Sequence, residues 1–203
     1  EKSGQIVQLD LYMLKLALSN LTLWADWLPE RFKLNVNVST SGFASKDFIN
    51  YLQQAHHKFA ALTDRLCIEI TEESLILNID AVQQNLDILK SLNIPVALDD
   101  FGTGFSSLSY LHQFSLDYLK IDKSFVDDLN AVNNKVLILD AVVNLAKALK
   151  IKTTAEGIET AEQYQKLKEI GCDLGQGYYI SKPLLDTDFK DFLLDKRDEC
   201  NSK

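Results

Sequence analysis

Six short runs of β character, each carrying a charged or amide side chain, alternate along the chain with segments of helical period. The runs are 34–39 (LNVNVS), 66–71 (LCIEIT), 95–100 (PVALDD), 118–122 (YLKID), 152–156 (KTTAE) and one ending near 176–181 (QGYYIS). Apolar residues at helical spacing mark 5–19, 46–59, 80–92, 134–149, 161–170 and 186–194. Short Val/Ile/Leu-rich strands alternating with helices are the pattern of parallel βα units, not of a sandwich or a bundle. The pattern suits either a doubly wound sheet or a (βα)8 barrel. No Gly-rich phosphate loop follows the first strand, so the nucleotide-binding sheet loses its main support, and six visible strands leave a barrel about two short. Thr160 with Gln163 three residues on predicts a capping box, and Gly171 predicts the end of that helix.

Composition narrows the function classes. The chain is 46% hydrophobic with only 8 Gly and 3 Pro, which predicts a packed core. A net charge of −8 argues against a nucleic-acid polymer as partner, because Lys and Arg supply most of that affinity. A small anionic ligand stays accessible, since bound cations can invert the local sign. The most apolar helical run, 136–149, is interrupted by Asp140, Asn144 and Lys147, and no stretch of the chain is expected to be long or clean enough to cross a bilayer, so no membrane insertion by the chain is expected. No signal-peptide pattern opens the chain. Cys67, Cys172 and Cys200 are odd in number, widely spaced and without metal-site spacing, which suits a reducing cytoplasm. The chain opens at Glu1 without an initiator methionine and is expected to be part of a longer protein; its polar tail, 196–203, is expected to fray.

The strand ends carry the chemistry: Asn37, Glu69 with Glu72, Asp99 with Asp100, Lys120 with Asp122, Glu156 with Glu159, and Gln176. In a parallel barrel all strand C-termini open on one mouth, so these groups converge. Carboxylates gathered in one cavity repel unless cations neutralise them. Carboxylate and amide oxygens without His or Cys favour Mg²⁺ or Mn²⁺ over zinc, and two such ions would activate a water against a phosphoryl group. A lone acid after a strand is more commonly a helix cap. Asp99 and Asp100 resist that reading, because they end the buried PVAL run, where unpartnered charge is costly. Lys120, between Leu119 and Ile121, either snorkels or is held among the acids. His56 and His57 lie on a polar helical stretch away from these ends.

Six motifs in order resemble the EAL domain family, bacterial phosphodiesterases and receptors for cyclic di-GMP: NVNVS (35–39), EITE (69–72), DDFGTGFSSLSYL (99–111), LKIDKSFV (119–126), AEGIET (155–160) and GCDLGQGYYISKP (171–183). The resemblance covers essentially the whole chain. It implies a modified (βα)8 TIM-like barrel with one antiparallel strand. It also implies that Asn37, Glu69, Asp99 and Asp100 ligate two Mg²⁺ or Mn²⁺ ions. Lys120 and Glu156 then orient or deprotonate the attacking water, with Gln176 near it. Glu72 would tether the loop after DDFG, coupling the site to a homodimer interface, and Glu159 would be another acid beside the site. Phe105 stands where many members have tyrosine and Glu73 where many have serine or threonine. The Glu-Ala-Leu triplet that names the family is absent from the sequence, so one metal ligand and an arginine for substrate phosphate are missing and the barrel is expected to be incomplete at its N-terminus. The implied activity is hydrolysis of cyclic di-GMP to the linear dinucleotide pGpG, in a cytoplasmic domain fused to upstream sensory or GGDEF domains within a parent protein that is cytoplasmic or membrane-anchored. The alternative is a catalytically silent EAL domain that binds cyclic di-GMP or docks a protein.

Overall fold

The computed structural model describes residues 4–77, 79–102, 111–127, 129 and 135–201. Helix α1 (Gln5–Trp24) leads into β1 (Leu34–Asn37), the short α2 (Thr40–Phe43) and α3 (Lys46–Thr63). Strand β2 (Leu66–Thr71) is followed by α4 (Glu72–Leu77) and α5 (Ile79–Ser91), then β3 (Val96–Phe101), β4 (Tyr118–Ile121), α6 (Lys123–Asp127) and α7 (Lys135–Ala148). The chain ends with β5 (Lys152–Ala155), α8 (Ala161–Ile170), β6 (Leu174–Gly175) and α9 (Asp186–Asn201). The six strands form one sheet in chain order, every neighbouring pair parallel, with the helices outside it. This curled half-barrel is the α/β class the alternation predicts. Among the described residues β1 and β6 do not pair with each other, and the antiparallel strand implied by the resemblance is not present.

Strand alternation divides the sheet into two chemically distinct faces. Leu66, Ile68, Ile70, Val96, Leu98 and Leu119 point toward the helices and belong to one core cluster with Leu14 and Leu21 of α1 and Val82, Leu86 and Leu89 of α5. The α5 residues repeat at i, i+4 and i+7, one helical stripe, and burying each is worth about 1.5–3 kcal/mol. The opposite strand positions, Asn35, Asn37, Cys67, Glu69, Ala97, Asp99 and Lys120, line the inside of the barrel. A second cluster, with Val126, Leu139, Val143, Ile158 and Leu167, seals the outside of β5. Cys67 and Cys172 are free thiols, and burial pushes the Cys67 thiol up to about 12.

Local signals place several boundaries. Thr160 and Gln163 form the capping box at α8, and Gly171 ends that helix with φ 86°, its N–H donating to Leu167 and Lys168 carbonyls. The structure differs from the sequence expectation in three places. The last strand is only Leu174–Gly175, ahead of 176–181, because the chain turns at Gly177: its carbonyl accepts from the Ile180 and Ser181 N–H groups, and its lack of a side chain lets it pass close against the Ile158 backbone. Helix α9 continues to Asn201 instead of fraying from 196. By length and composition alone α1 is apolar enough to cross a membrane, with a mean hydropathy of 1.2 over its best 18 residues, which corrects the expectation that no stretch of the chain is long or clean enough. In this fold its Leu14, Ala17, Leu18 and Leu21 stripe packs into the core.

Candidate active site

Lys120 is the centre of the barrel mouth. The residue is 5% exposed, and its Nζ lies 2.8 Å from Glu69 Oε2, 3.0 Å from Asp99 Oδ1 and 2.7 Å from Glu156 Oε1. Sheet register, with the residue that follows β5, assembles this group. Asn37 is paired with Glu69, Thr71 with Asp99, and Lys120 with Thr154, one pair before Ile121 and Ala155. Glu156 follows at once, its N–H donating to the Ile121 carbonyl at 3.0 Å. Four adjacent strands therefore each deliver one polar side chain to the barrel mouth, Asp99 and Lys120 one inward-facing step beyond Asn37 and Glu69. Lys120 is held among the acids and does not snorkel. Burial alone would lower its pKa, but hydrogen bonds to Glu156 and Glu69 and the charges of Glu69 and Asp99 raise it, so it stays an ammonium.

Simple alternation would send Asp99 and Asp100 to opposite faces. A β-bulge prevents this: between the pairs Leu98–Leu119 and Phe101–Ile121, β3 advances three residues while β4 advances two. Asp100 absorbs the extra residue with φ 55°, a left-handed conformation that Asp tolerates better than most side chains. As a result Asp99, Asp100 and Glu156 offer oxygens that all lie within 4.8 Å of one another. Burial, then the neighbouring charges of Asp99 and Asp122, raises the Asp100 carboxyl above its ordinary range. Burial also raises Glu156, although Lys120 opposes it.

The Asn37 amide tests whether this set fits a cation. Its oxygen faces Glu69 Oε2 and Asp99 Oδ2, 3.3 Å from each. Three oxygens at that spacing repel unless a cation sits among them or the amide turns over to donate. An all-oxygen donor set of carboxylates and an amide is the chemistry of a hard divalent ion. The residues present fit such an ion.

The other expected site residues divide. Gln176 is spliced to the site by its backbone, accepting from the Ile158 N–H at 3.0 Å and donating to the Ala155 carbonyl at 2.8 Å, but its side chain is exposed and is not bonded to the Lys120 cluster. Glu159 is exposed and pairs with Lys123 at 2.5 Å. Asp122 is a cap: its Oδ1 accepts from the Ser124 N–H at 2.9 Å, and hydrogen bonding from the Ser124 side chain, then from the Ser124 and Lys123 backbone, lowers its pKa. Glu72 opens α4, half-buried; most of the loop it would tether, including Gly104 and Phe105, lies outside the described residues. His56 bonds Thr63 Oγ1 at 2.7 Å on α3, away from the mouth. Sequence reasoning missed Asn35, whose Nδ2 donates to Glu69 Oε1 at 2.6 Å. The signal was available, since Asn35 and Asn37 share one strand face.

The sequence profile of the EAL domain matches residues 1–183. A probable cyclic di-GMP phosphodiesterase, PdeG of Escherichia coli K12, is 40% identical over 197 residues, 97% of this chain and 39% of its own length. The chain therefore spans about two fifths of that relative. Among solved structures, the EAL enzyme Bd1971 with cAMP and cyclic di-GMP bound matches with a TM-score of 0.88 at 31% identity, over 94% of this chain and 52% of that one. Klebsiella pneumoniae BlrP1, in a manganese and cyclic di-GMP complex, matches with a TM-score of 0.79 at 29% identity, over 89% of this chain and 46% of that one. With its motifs, its parallel half-barrel and its acid-bound lysine all in place, the chain belongs to the EAL domain family.

Proposed function

We propose that the protein containing this domain hydrolyses cyclic di-GMP to the linear dinucleotide in bacterial second-messenger signalling. The observation that carries the reading is the buried Lys120 ammonium bonded to Glu69, Asp99 and Glu156, with Asn37 and Asp100 beside them. In this reading Asn37, Glu69, Asp99 and Asp100 hold two Mg²⁺ or Mn²⁺ ions; BlrP1 is a manganese and cyclic di-GMP complex, and its likeness supports the assignment. Ions held by these residues would supply Lewis acidity toward the phosphodiester and the attacking water. Glu156, a carboxylate with a raised pKa, takes the proton from that water. Lys120 keeps the acids at fixed separation and holds positive charge where the phosphorane develops negative charge. Gln176 borders the water's approach, Glu72 tethers the segment after Asp100, and Glu159 flanks the site. A homodimer through that segment and fusion to sensory or GGDEF domains complete the picture; PdeG leaves room for such domains in the 61% of its length outside the match (100 − 39). The open edge of β1 is where an upstream strand bearing the Glu-Ala-Leu triplet would add to the sheet.

The deciding experiment assays the full-length protein for pGpG release from cyclic di-GMP with Mn²⁺, beside its Glu156→Gln variant. Turnover in the parent and its loss in the variant are expected. Tight cyclic di-GMP binding without turnover in the parent would instead identify a silent receptor.

A further inference from the structure

We propose that Asn35 is a positioning residue that holds Glu69 to one-oxygen coordination, and thereby biases the site toward Mg²⁺ or Mn²⁺ and against Ca²⁺. The inference rests on the reading of Glu69 as a cation ligand. Glu69 is 3% exposed, and its two oxygens are gripped separately: Oε1 accepts from Asn35 Nδ2 at 2.6 Å and Oε2 from Lys120 Nζ at 2.8 Å. A carboxylate held from both ends cannot rotate to present both oxygens to one ion. Asn35 stands two residues before Asn37 on the inner face of β1, and β1 runs beside β2 with Asn35 opposite Cys67 and Asn37 opposite Glu69. Its amide thus reaches Glu69 from the layer below Asn37. Asn35 is neutral, so it fixes geometry without altering the charge that the ions must balance.

The metals respond differently to that constraint. Ca²⁺ takes about six to eight oxygens and commonly binds a carboxylate through both, whereas Mg²⁺ demands about six ligands in compact octahedral geometry and is content with one oxygen per carboxylate. Releasing Oε1 removes the restriction that disfavours calcium and loosens the ligand the smaller ions need. Loss of an outer hydrogen bond to a ligand commonly weakens metal affinity by about 10–100-fold.

The test measures Mn²⁺ and Ca²⁺ dissociation constants of the full-length protein by calorimetry, with Mn²⁺ spin resonance under Ca²⁺ competition as a second readout. The parent is compared with Asn35→Ala and Asn35→Ser, and circular dichroism and thermal unfolding establish that each is folded. Expected is a weakening of Mn²⁺ by about tenfold or more with Ca²⁺ less affected, so that the Ca²⁺ to Mn²⁺ ratio of constants falls. Equal weakening of both ions in the folded variants, or an unchanged ratio, overturns the role given to Asn35 while leaving Glu69 a ligand. A parent that binds neither ion overturns the ligand reading itself, and this inference with it. If the alanine variant does not fold, Asn35→Ser decides, because serine keeps a polar group on the barrel face yet is too short to reach Oε1.

Discussion

The C-terminal and N-terminal ends of the parallel sheet both gather charge, of opposite sign, and hold it in opposite ways. At the C-terminal end Lys120 and its three acids are mutually bonded and mostly out of water. At the N-terminal end Lys33, Lys90, Lys150 and Lys152 surround a pocket of about 630 Å³ and are all exposed. There Asp117 is spent on the Val96 N–H at 2.9 Å, Lys90 reaches Ser115 Oγ at 3.2 Å, and Lys152 lies 5.9 Å over the Tyr118 ring. Helices α5 and α7 end beside these lysines, which complement the helices' carbonyl ends. Solvated charges of this kind tolerate change, whereas a buried set survives only while every member has its partner. The difference shows that burial and mutual contact, not the number of charges, separate a chemical site from a charged surface.

Removing divalent cations should break the C-terminal end most completely. With chelator present, hydrolysis by the full-length protein should vanish, and Mg²⁺ or Mn²⁺ should restore it while Ca²⁺ does not. Undiminished turnover in chelator would sink the cation reading. Next in size, Asp99→Asn or Glu69→Gln should lower kcat/KM by about a hundredfold or more, since each removes a charged ligand while keeping the shape. Circular dichroism should be unchanged; wild-type-like turnover in either variant would remove that residue from the ligand set.

Much of this site was legible in the sequence, for a specific reason. The polar residues of NVNVS, EITE and LKID fall on one strand face, and period-2 alternation carries Asn37, Glu69 and Lys120 to one mouth wherever the strands are parallel. Alternation fails at Asp99–Asp100, because a bulge is a property of two paired strands and leaves no mark in either one alone. Asn35 was passed over for a related reason: its partner Glu69 lies 34 residues away, and only the register of β1 on β2 joins them. The end of β6 depended on the close approach of Gly177 to Ile158, a contact between segments that local propensity does not encode.

Stability should separate the two ends as sharply as activity. Lys120→Met removes the only positive charge among the described residues that pairs with these three buried or half-buried acids, and breaking a buried pair costs about 3–5 kcal/mol. Denaturant unfolding in chelator should register a loss of that size, and a loss below about 1 kcal/mol would mean the acids relax into water without their lysine.

A smaller effect follows from pH. The folded-state pKa values of Glu156 and Asp100 are raised, Glu156 by burial against the opposing pull of Lys120, and Asp100 by burial and its acidic neighbours. A carboxyl raised on folding contributes stability below its unfolded pKa of about 4, and that contribution is lost as pH rises through the folded value. The thermal shift produced by Mn²⁺ should therefore grow as pH rises from about 4 toward neutrality, where the ions replace the lost protons. A shift independent of pH over that range would show that Asp100 does not hold the metal.

The smallest effect should come from the opposite end. Lys152→Met deletes an exposed ammonium whose nearest described interaction is the Tyr118 ring, a contact worth about 0.5–1 kcal/mol at an exposed position. The methionine stem still covers that ring, so part of the packing survives the change. Chemical denaturation should therefore move by no more than about 1 kcal/mol, and kcat/KM for cyclic di-GMP should stay within about twofold. Lys152 stands beside Tyr118 in the register of β4 and β5, two residue pairs below Lys120, so any structural disturbance would have a direct path up the strands to the site. A large loss of activity with stability intact would mean that the lysine-rimmed end acts on the acidic one, and the contrast between solvated and interlocked charge would no longer explain which end does chemistry.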